Sequence, residues 1–385
     1  MNDLYFCERL RGADQFFGFA GEIWMFQNKK SDPFWIITAL HTDTRHNCLA
    51  GGTHCGVVGA GEQDDWPTLD AAIAHIADKA DDMRRKLAVS GLMDAHDADG
   101  MKAAIVCTRP LSDTERVAAF QFLGFIAKMI GDFVDPKNPH HVLIGGDMKT
   151  RAKDLSVASK IAPDNIVGQL PEDGGIGETG PPTALGVMET IDLAMKIYGE
   201  GKAWPKTMAV QGLGSVGEPL VREALAHGWE VTVADPKISQ LKNLSFSLLA
   251  VQAVDPLEIH KQAVTVFAPC AQNPIITPQT INEFSCKMII SAQNTDIDLV
   301  RAEELMLALH QRGIKPVVPG YACNFMGIAM LLWQSDLKQL PYHMILEREL
   351  KRHYTRVRQM LLRAKDRDVP PYMVAQETIK EAILQ

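Results

Sequence analysis

Lys86, Lys102 and Asp147 are the residues of this chain whose types and placement could do acid–base chemistry. Two amines and a carboxylate can bind an anionic substrate and move protons. A lysine beside another cation, away from water, has its charged form disfavoured and can act as a base near neutral pH. Taken alone, Lys102 is an ordinary solvated residue at a loop-to-strand junction behind Gly100. What argues for more is its company: Lys86 at the end of the preceding helix, Asp147 at the end of a separate strand, and the Gly51-Gly52 turn.

A second constellation lies further along. Val210-Gln211-Gly212-Leu213-Gly214-Ser215-Val216-Gly217 follows an apolar run and precedes a helical pattern. A glycine turn there offers backbone N–H groups and a helix N-terminus to a pyrophosphate. Glu230 to Ala234 reads as the next strand, ending at Asp235. The glycine spacing alone is weak evidence; flanked by strand, helix, strand and an acid about 20 residues on, it predicts a dinucleotide site. Asp235 would accept hydrogen bonds from ribose hydroxyls and repel a 2′-phosphate, which favours NAD over NADP, although Lys237 nearby leaves room for NADP.

The elements that must position these residues can be read from periodicity. Phe34–Leu40 is an apolar strand, and Leu69–Val89 a long helix with Ala72, Ile73, Ile76, Ala80, Met83 and Leu87 at helical spacing. A polar loop over 93–100 leads to a strand at Ala103–Cys107. Ser112 and Glu115 form a capping box for a helix to about Asp132, and His141–Gly146 is a strand that delivers Asp147. Glycines and prolines over 170–182 mark a hinge. After a helix from Thr183 to Tyr198 come strands at Met208–Gln211, Val231–Ala234, Val264–Ala268, Met288–Ala292 and Pro316–Val318, alternating with helices. That alternation predicts an α/β fold: an N-terminal α/β substrate domain plus a Rossmann-like doubly wound domain, with a cleft between them. The expected boundaries are 1–178 for the substrate, catalytic and oligomerisation domain and 179–339 for the NAD-binding domain, with helices of 340–385 returning to the first.

Bulk properties agree with a globular enzyme. The chain has 385 residues, 46% hydrophobic and 22% charged, with a net charge of −8 that argues against nucleic-acid and anionic-membrane partners. Its 7 cysteines are scattered and never spaced as CxxC, which fits packed thiols in a reducing cytoplasm. No secretory signal or membrane-spanning apolar run is seen. His54, His96 and His140-His141 lack metal-ligand spacing, so no metal is expected.

Several segments, taken in order, resemble the amino-acid dehydrogenase family that includes leucine, phenylalanine, valine and glutamate dehydrogenases, and the leucine/phenylalanine branch most. They are Leu49-Ala-Gly-Gly-Thr53, Met83-Arg-Arg-Lys86, Gly100-Met-Lys102, Gly146-Asp147, Pro182-Thr183-Ala184-Leu-Gly186-Val187, Val210–Gly217, Phe267-Ala-Pro-Cys270, Ser291-Ala-Gln-Asn294, Tyr321-Ala-Cys-Asn324 and Val369–Glu377. The resemblance implies a nicotinamide-dependent conversion of an L-amino acid to its 2-oxo acid and ammonium, in a homodimer or larger homo-oligomer. It implies that Lys86, with backbone around Gly51 and Gly52, pairs with the substrate carboxylate. Lys102 would act on the attacking water and Asp147 would shuttle the amine proton. Thr183, Ala268, Pro269, Cys270, Asn294 and Asn324 would join Gly212, Gly214, Ser215, Val216, Gly217 and Asp235 around the cofactor. Asn324 would also face the substrate. Ala50, Gly145, Ile328 and Leu331 would line the side-chain pocket, and their apolar character points to a branched-chain or aromatic substrate.

The chain departs from the family's pattern in a longer link before Lys102, in His54 where an arginine is usual, in Arg84-Arg85, and in Phe325-Met326 where small residues are usual. These departures leave two other readings open: a specialised-pathway dehydrogenase or imine reductase acting on an unusual amino acid, and a non-catalytic NAD-binding regulatory protein.

Overall fold

The computed structural model describes residues 6–10, 21–27, 32–41, 46–59, 65–134, 141–199, 201, 203–238, 244, 246–271, 274–293, 297, 301–335 and 339–384. They fall into two compact units: residues 1–178 with 331–342, and residues 179–330 with 343–385.

The first unit is built on a mixed sheet of six strands: β1 (Phe6–Leu10), β2 (Glu22–Gln27), β3 (Phe34–Leu40), β4 (Cys48–Val57), β5 (Ala98–Cys107) and β6 (His141–Gly146), in the order β1-β2-β3-β5-β4-β6. The β1-β2, β2-β3 and β3-β5 pairs are antiparallel, while β4 lies parallel to both β5 and β6. Side-chain alternation then divides β5 between two cores. Ala104 and Val106 face α1 (Leu69–Ser90), packing with Ile73, Ile76, Ala77 and Ala80. Met101, Ala103 and Ile105 lie in the core that contains Phe120, Leu123 and Ile126 of α3 (Asp113–Val134). Lys102 belongs to the α1 side by the same alternation.

Local chemistry starts and stops these helices. The Thr68 side chain accepts the Ala71 N–H, and Gly91 in the left-handed region (φ 69°) ends α1 before the short α2 (Leu92–Ala95). The capping box of α3 forms, with the Ser112 N–H on the Glu115 carboxylate at 2.9 Å and the Glu115 N–H on the Ser112 hydroxyl at 3.4 Å. A further helix, α4 (Ala152–Ser159), follows β6.

Two expectations need correction here. Gly51 and Gly52 lie within β4, not in a turn, because they pair with Ile144 and Gly145 of β6. Lys102 likewise lies inside β5, which begins at Ala98 rather than at 103, and part of the expected polar loop is α2.

The second unit holds a parallel sheet of β7 (Thr207–Gln211), β8 (Glu230–Ala234), β9 (Gln252–Ala253), β10 (Val266–Pro269), β11 (Met288–Ile290) and β12 (Val317–Val318), in the order β12-β11-β10-β7-β8-β9. Counted from β7 this is the 3-2-1-4-5-6 order of the dinucleotide-binding fold. Its helices are α5 (Gly180–Tyr198), α6 (Gly217–Ala226), α7 (Ala302–Gln311), α8 (Met326–Leu332), whose last two residues belong to the first unit, α9 (Tyr342–Asp366) and α10 (Pro371–Leu384). The C-terminal helices were expected on the first unit, and this too is corrected. Ile345, Val357, Met360, Leu361 and Ala364 form a buried stripe on α9, and His353 bonds Glu189 at 2.8 Å. The Tyr198 hydroxyl bonds the Leu361 carbonyl, and Gln376 of α10 bonds Tyr321 at 2.9 Å, all within the second unit. Among the described residues no helix is long and apolar enough to cross a membrane.

The approach of α1 to β5 depends on Gly100, where a Cβ would collide with the Arg84 backbone nitrogen and stand 2.7 Å from the Ala80 carbonyl oxygen. Gly100→Val should therefore destabilise the fold by about 1–3 kcal/mol, the usual cost of overpacking. A fall in the urea midpoint at unchanged slope checks this.

Candidate active site

Lys102 is only 3% exposed, and its ammonium donates to Oδ2 of Asp147. Asp147 opens the turn after β6, where its N–H bonds the Thr53 carbonyl at 3.1 Å and its carbonyl accepts the Thr150 N–H at 3.0 Å. The Thr150 hydroxyl reaches the same Thr53 carbonyl at 2.8 Å, which fixes the turn to β4. Arg116 of α3 clamps it from outside, donating to the Lys149 carbonyl at 2.7 Å and gripping both Asp154 oxygens at 2.9 and 2.6 Å. Bidentate guanidinium–carboxylate pairing gives such a clamp a fixed geometry.

On the other side, α1 presents His75, Lys79, Asp82 and Lys86 at intervals of four, three and four residues, which is one helical face. Burial pushes the Lys102 amine down to about 7, the charges of Lys79 and Lys86 push it the same way, and Asp82 opposes them. Lys79 bonds Asp82 at 2.9 Å, and Asp82 is itself buried. His54 and His75 line the same region with rings 5.5 Å apart. Burial first, and nearby positive charges including Lys102, lower them to about 3 and about 4, so both imidazoles are neutral at physiological pH. The lysine can therefore lose its proton near neutral pH while both imidazoles stay neutral.

Small residues keep the strand surface beside Lys102 bare. A Cβ on Gly51 would collide with the Met101 carbonyl, and one on Gly52 would stand 3.0 Å from the Asp147 Cβ. Gly52 is paired with Gly145 of β6, in the strand row of Lys102. A Cβ on Gly145 would stand 2.8 Å from Leu331 Cδ1, so these two expected pocket residues are in contact. Ala50 is fully buried between Gly100 and Leu143. Lys86, Lys102, Asp147, Gly51, Gly52, Ala50, Gly145 and Leu331 all belong to the first unit, and Asn324 and Ile328 to the second.

In the second unit each glycine of the turn has its own reason. Gly212 has φ +90°, and its N–H bonds the Ala234 carbonyl at 2.7 Å, tying the turn to β8. A Cβ on Gly214 would meet nothing within 4 Å, so the backbone there is open to an approaching group. A Cβ on Gly217 would collide with the Gly212 carbonyl, so α6 can pack against the turn only without one. Ser215 is exposed, and Val216 caps α6. The Asp235 carboxylate accepts the Leu213 N–H at 2.9 Å and the Lys237 N–H at 2.8 Å. These features fit a dinucleotide: an open glycine cradle at a helix N-terminus and an anchored acid at the end of the next strand. Ala268 and Pro269 pair with Val210 and Gln211 beside the turn, and the Cys270 N–H bonds the Gln211 carbonyl at 2.8 Å. Burial pushes the Cys270 thiol up to about 12, so it stays protonated.

Thr183 lies at the start of α5, its hydroxyl on the Thr179 carbonyl at 2.8 Å, and a Cβ on Gly327 would stand 2.6 Å from that hydroxyl. The Asn324 amide donates to the Ala292 carbonyl at 2.8 Å. Phe325 is buried with its ring 4.7 Å from His353, and Met326 is fully buried beside Gly186, so both bulky residues pack into the interior of the second unit. Asn294 lies outside the described residues. Among the described residues no group of His, Cys, Asp or Glu could hold a metal ion. Sequence reading missed Lys79, Asp82 and His75. Their helical spacing with Lys86 was the available signal, a polar stripe beside the apolar one.

No family model matches the chain. A leucine dehydrogenase of Geobacillus stearothermophilus is 26% identical over 363 residues, covering 93% of this chain and 89% of its own. In sequence the chain is similar to enzymes named leucine, phenylalanine and valine dehydrogenase. A phenylalanine dehydrogenase of Thermoactinomyces intermedius is 31% identical over 205 residues, 52% of this chain and 54% of that enzyme, so this alignment spans about half of each. The crystal structure of L-tryptophan dehydrogenase from Nostoc punctiforme shares the fold, with a TM-score of 0.66 at 21% identity over 97% of this chain and 98% of that one.

The two glycines of the turn should respond differently. Gly214→Ala should leave the melting midpoint unchanged while weakening dinucleotide binding about tenfold or more, whereas Gly217→Ala should lower the midpoint by about 1–3 kcal/mol of stability. Calorimetric binding and urea melts separate these outcomes. The stripe on α1 makes a second prediction: Lys79→Met removes a cation and leaves Asp82, so the Lys102 pKa should rise. Heteronuclear NMR titration of labelled lysine side chains reads that shift directly.

Proposed function

We propose that the protein is a nicotinamide-dependent L-amino-acid dehydrogenase that converts an apolar amino acid to its 2-oxo acid and ammonium, or runs the reverse reductive amination. The carrying observation is the buried Lys102–Asp147 pair beside a stripe of amines, on a chain that also builds a glycine cradle and an acid-ended strand. The relatives named leucine and phenylalanine dehydrogenase support the same reaction class.

In this reading Lys86 fixes the substrate by its carboxylate, with the bare backbone of Gly51 and Gly52 against it. A nicotinamide dinucleotide held by the Gly212–Gly217 turn and Asp235 would supply hydride transfer. Neutral Lys102 removes a proton from the water that adds to the substrate's α-carbon, and Asp147 holds and moves the proton on the nitrogen. The lysinium of Lys102 is paired with Asp147, and Lys79 with Asp82, which limits uncompensated buried charge. NAD is the cofactor we assign, because the Asp235 carboxylate stands where a 2′-phosphate would need a cation. Residues 1–178 form the substrate domain and 179–330 the cofactor domain in this proposal, and assembly into a homo-oligomer belongs to it.

Purified protein is tested with a panel of L-amino acids and NAD⁺, and with 2-oxo acids, ammonium and NADH, by nicotinamide absorbance. Turnover is expected on branched-chain or aromatic substrates; silence on both panels with cofactor bound refutes the reading. Deamination should rise as pH climbs through about 7, the value to which Lys102 is lowered, because the amine is protonated below it and neutral above it. Lys102→Ala should lower kcat by about 10²-fold or more, the usual range for losing a general base, while NAD binding is kept.

A further inference from the structure

Lys149, two residues after Asp147, sits in the left-handed region with φ +57°. A residue with a full side chain keeps that conformation only where its surroundings over-determine it. Here two side chains do so, from opposite faces of the first sheet. Arg116 of α3 donates to the Lys149 carbonyl at 2.7 Å, and the Lys149 ammonium donates to Oδ1 of Asp65 at 2.6 Å. Asp65 is itself anchored on the end of β4. Its Oδ2 accepts the Val57 N–H at 2.8 Å, and its own N–H bonds the Val57 carbonyl at 2.8 Å. A Cβ on Gly56 would stand 2.6 Å from the Trp66 ring and 2.9 Å from Asp65 Oδ2, so residues 65 and 66 reach β4 only over that bare position.

His54 stands 3.7 Å from the same Oδ1. Burial first, then the charge of Lys102, pushes its imidazole down to about 3, so it is neutral and the cation paired with Asp65 is Lys149. A guanidinium at position 54, usual in the family the chain resembles, would compete with Lys149 for that carboxylate. We infer that Asp65 is a positioning residue: through Lys149 it holds the Asp147–Thr150 turn so that the Asp147 carboxylate stays on the Lys102 amine. Its action runs through the backbone of the turn. The Asp147 N–H and the Thr150 hydroxyl fix the two ends of that turn to the Thr53 carbonyl, and Asp65 and Arg116 fix its middle. The effect on turnover rests on the dehydrogenase reading; the effect on the Lys102–Asp147 pair does not.

The test compares Asp65→Asn, Lys149→Met and two double variants of the full-length protein, in which Asp65→Asn is joined to Lys149→Met or to Lys149→Gly. Heteronuclear NMR of labelled lysine side chains reads the Lys102 pKa in each. Loss of Asp147 takes an opposite charge from the ammonium, so the Lys102 pKa should fall by about one unit or more in both single variants. Charge alone gives opposite signs: removing the Asp65 anion would lower it, and removing the Lys149 cation would raise it. The two double variants carry equal charge and differ only in the residue that must adopt φ +57°. Glycine adopts it freely, so the Gly variant should recover toward wild type and the Met variant should not. Lys149 is exposed, so Lys149→Met keeps the test decisive if Asp65→Asn fails to fold. In the deamination assay kcat should drop about tenfold or more in the single variants, with KM for the amino acid nearly unchanged. A raised Lys102 pKa in Lys149→Met, equal values in the two double variants, or wild-type kcat in both single variants overturns the positioning role. A wild-type protein without turnover refutes the dehydrogenase reading instead, and the lysine titration then decides the role of Asp65 by itself.

Discussion

A primary amine buried in the middle of a β-sheet is the constraint from which the first unit's architecture follows. Desolvating an ammonium is expensive unless opposite charges and acceptors are arranged around it, and an exposed lysine would stay protonated near neutral pH. The protein answers with an acid on one side, held by a turn that β4 and Arg116 both pin, and with a polar helical stripe on the other. The stripe can approach only because Gly100 lets the α1 backbone lie against β5. Electrostatics and packing are thus one problem here: the strand glycine, the helix stripe and the clamped turn all serve the same amine.

The second unit solves a different problem with backbone rather than charge. Its turn must be tight, open and close-packed at three consecutive points, and glycine meets each demand for a different reason: a positive φ at Gly212, open space at Gly214 and helix contact at Gly217. No side chain needs to be tuned for this, which is why the motif is readable from spacing alone.

That contrast explains what could be read from the sequence. The parallel sheet, the cofactor turn and Asp235 follow from local pattern, and Lys86, Lys102 and Asp147 from residue type and resemblance. The position of Lys102 within its strand was less accessible, because the polar run over 93–99 masks an extended segment that only pairing with β3 and β4 stabilises. Likewise, the close contact of Gly145 with Leu331 was not readable, because Leu331 comes from 186 residues further along the chain. Long-range neighbours of this kind leave no local trace. The C-terminal helices were misplaced for the same reason: their apolar stripe shows that they bury a face, not which one they bury it against.

Leu331 is also where the chain's path doubles back. Residues 331–342 join the first unit after the whole parallel sheet of the second has been laid down. Gln334 there accepts the Gly168 N–H at 2.7 Å and donates to Gln169 at 3.0 Å, while Leu331 covers Gly145 and Gly168. During synthesis, the first unit must therefore wait, with that stretch uncovered, until the ribosome has delivered nearly the entire chain. The order of completion is interleaved: the first unit closes only after the sheet of the second has been made, and the second is completed by the helices that follow.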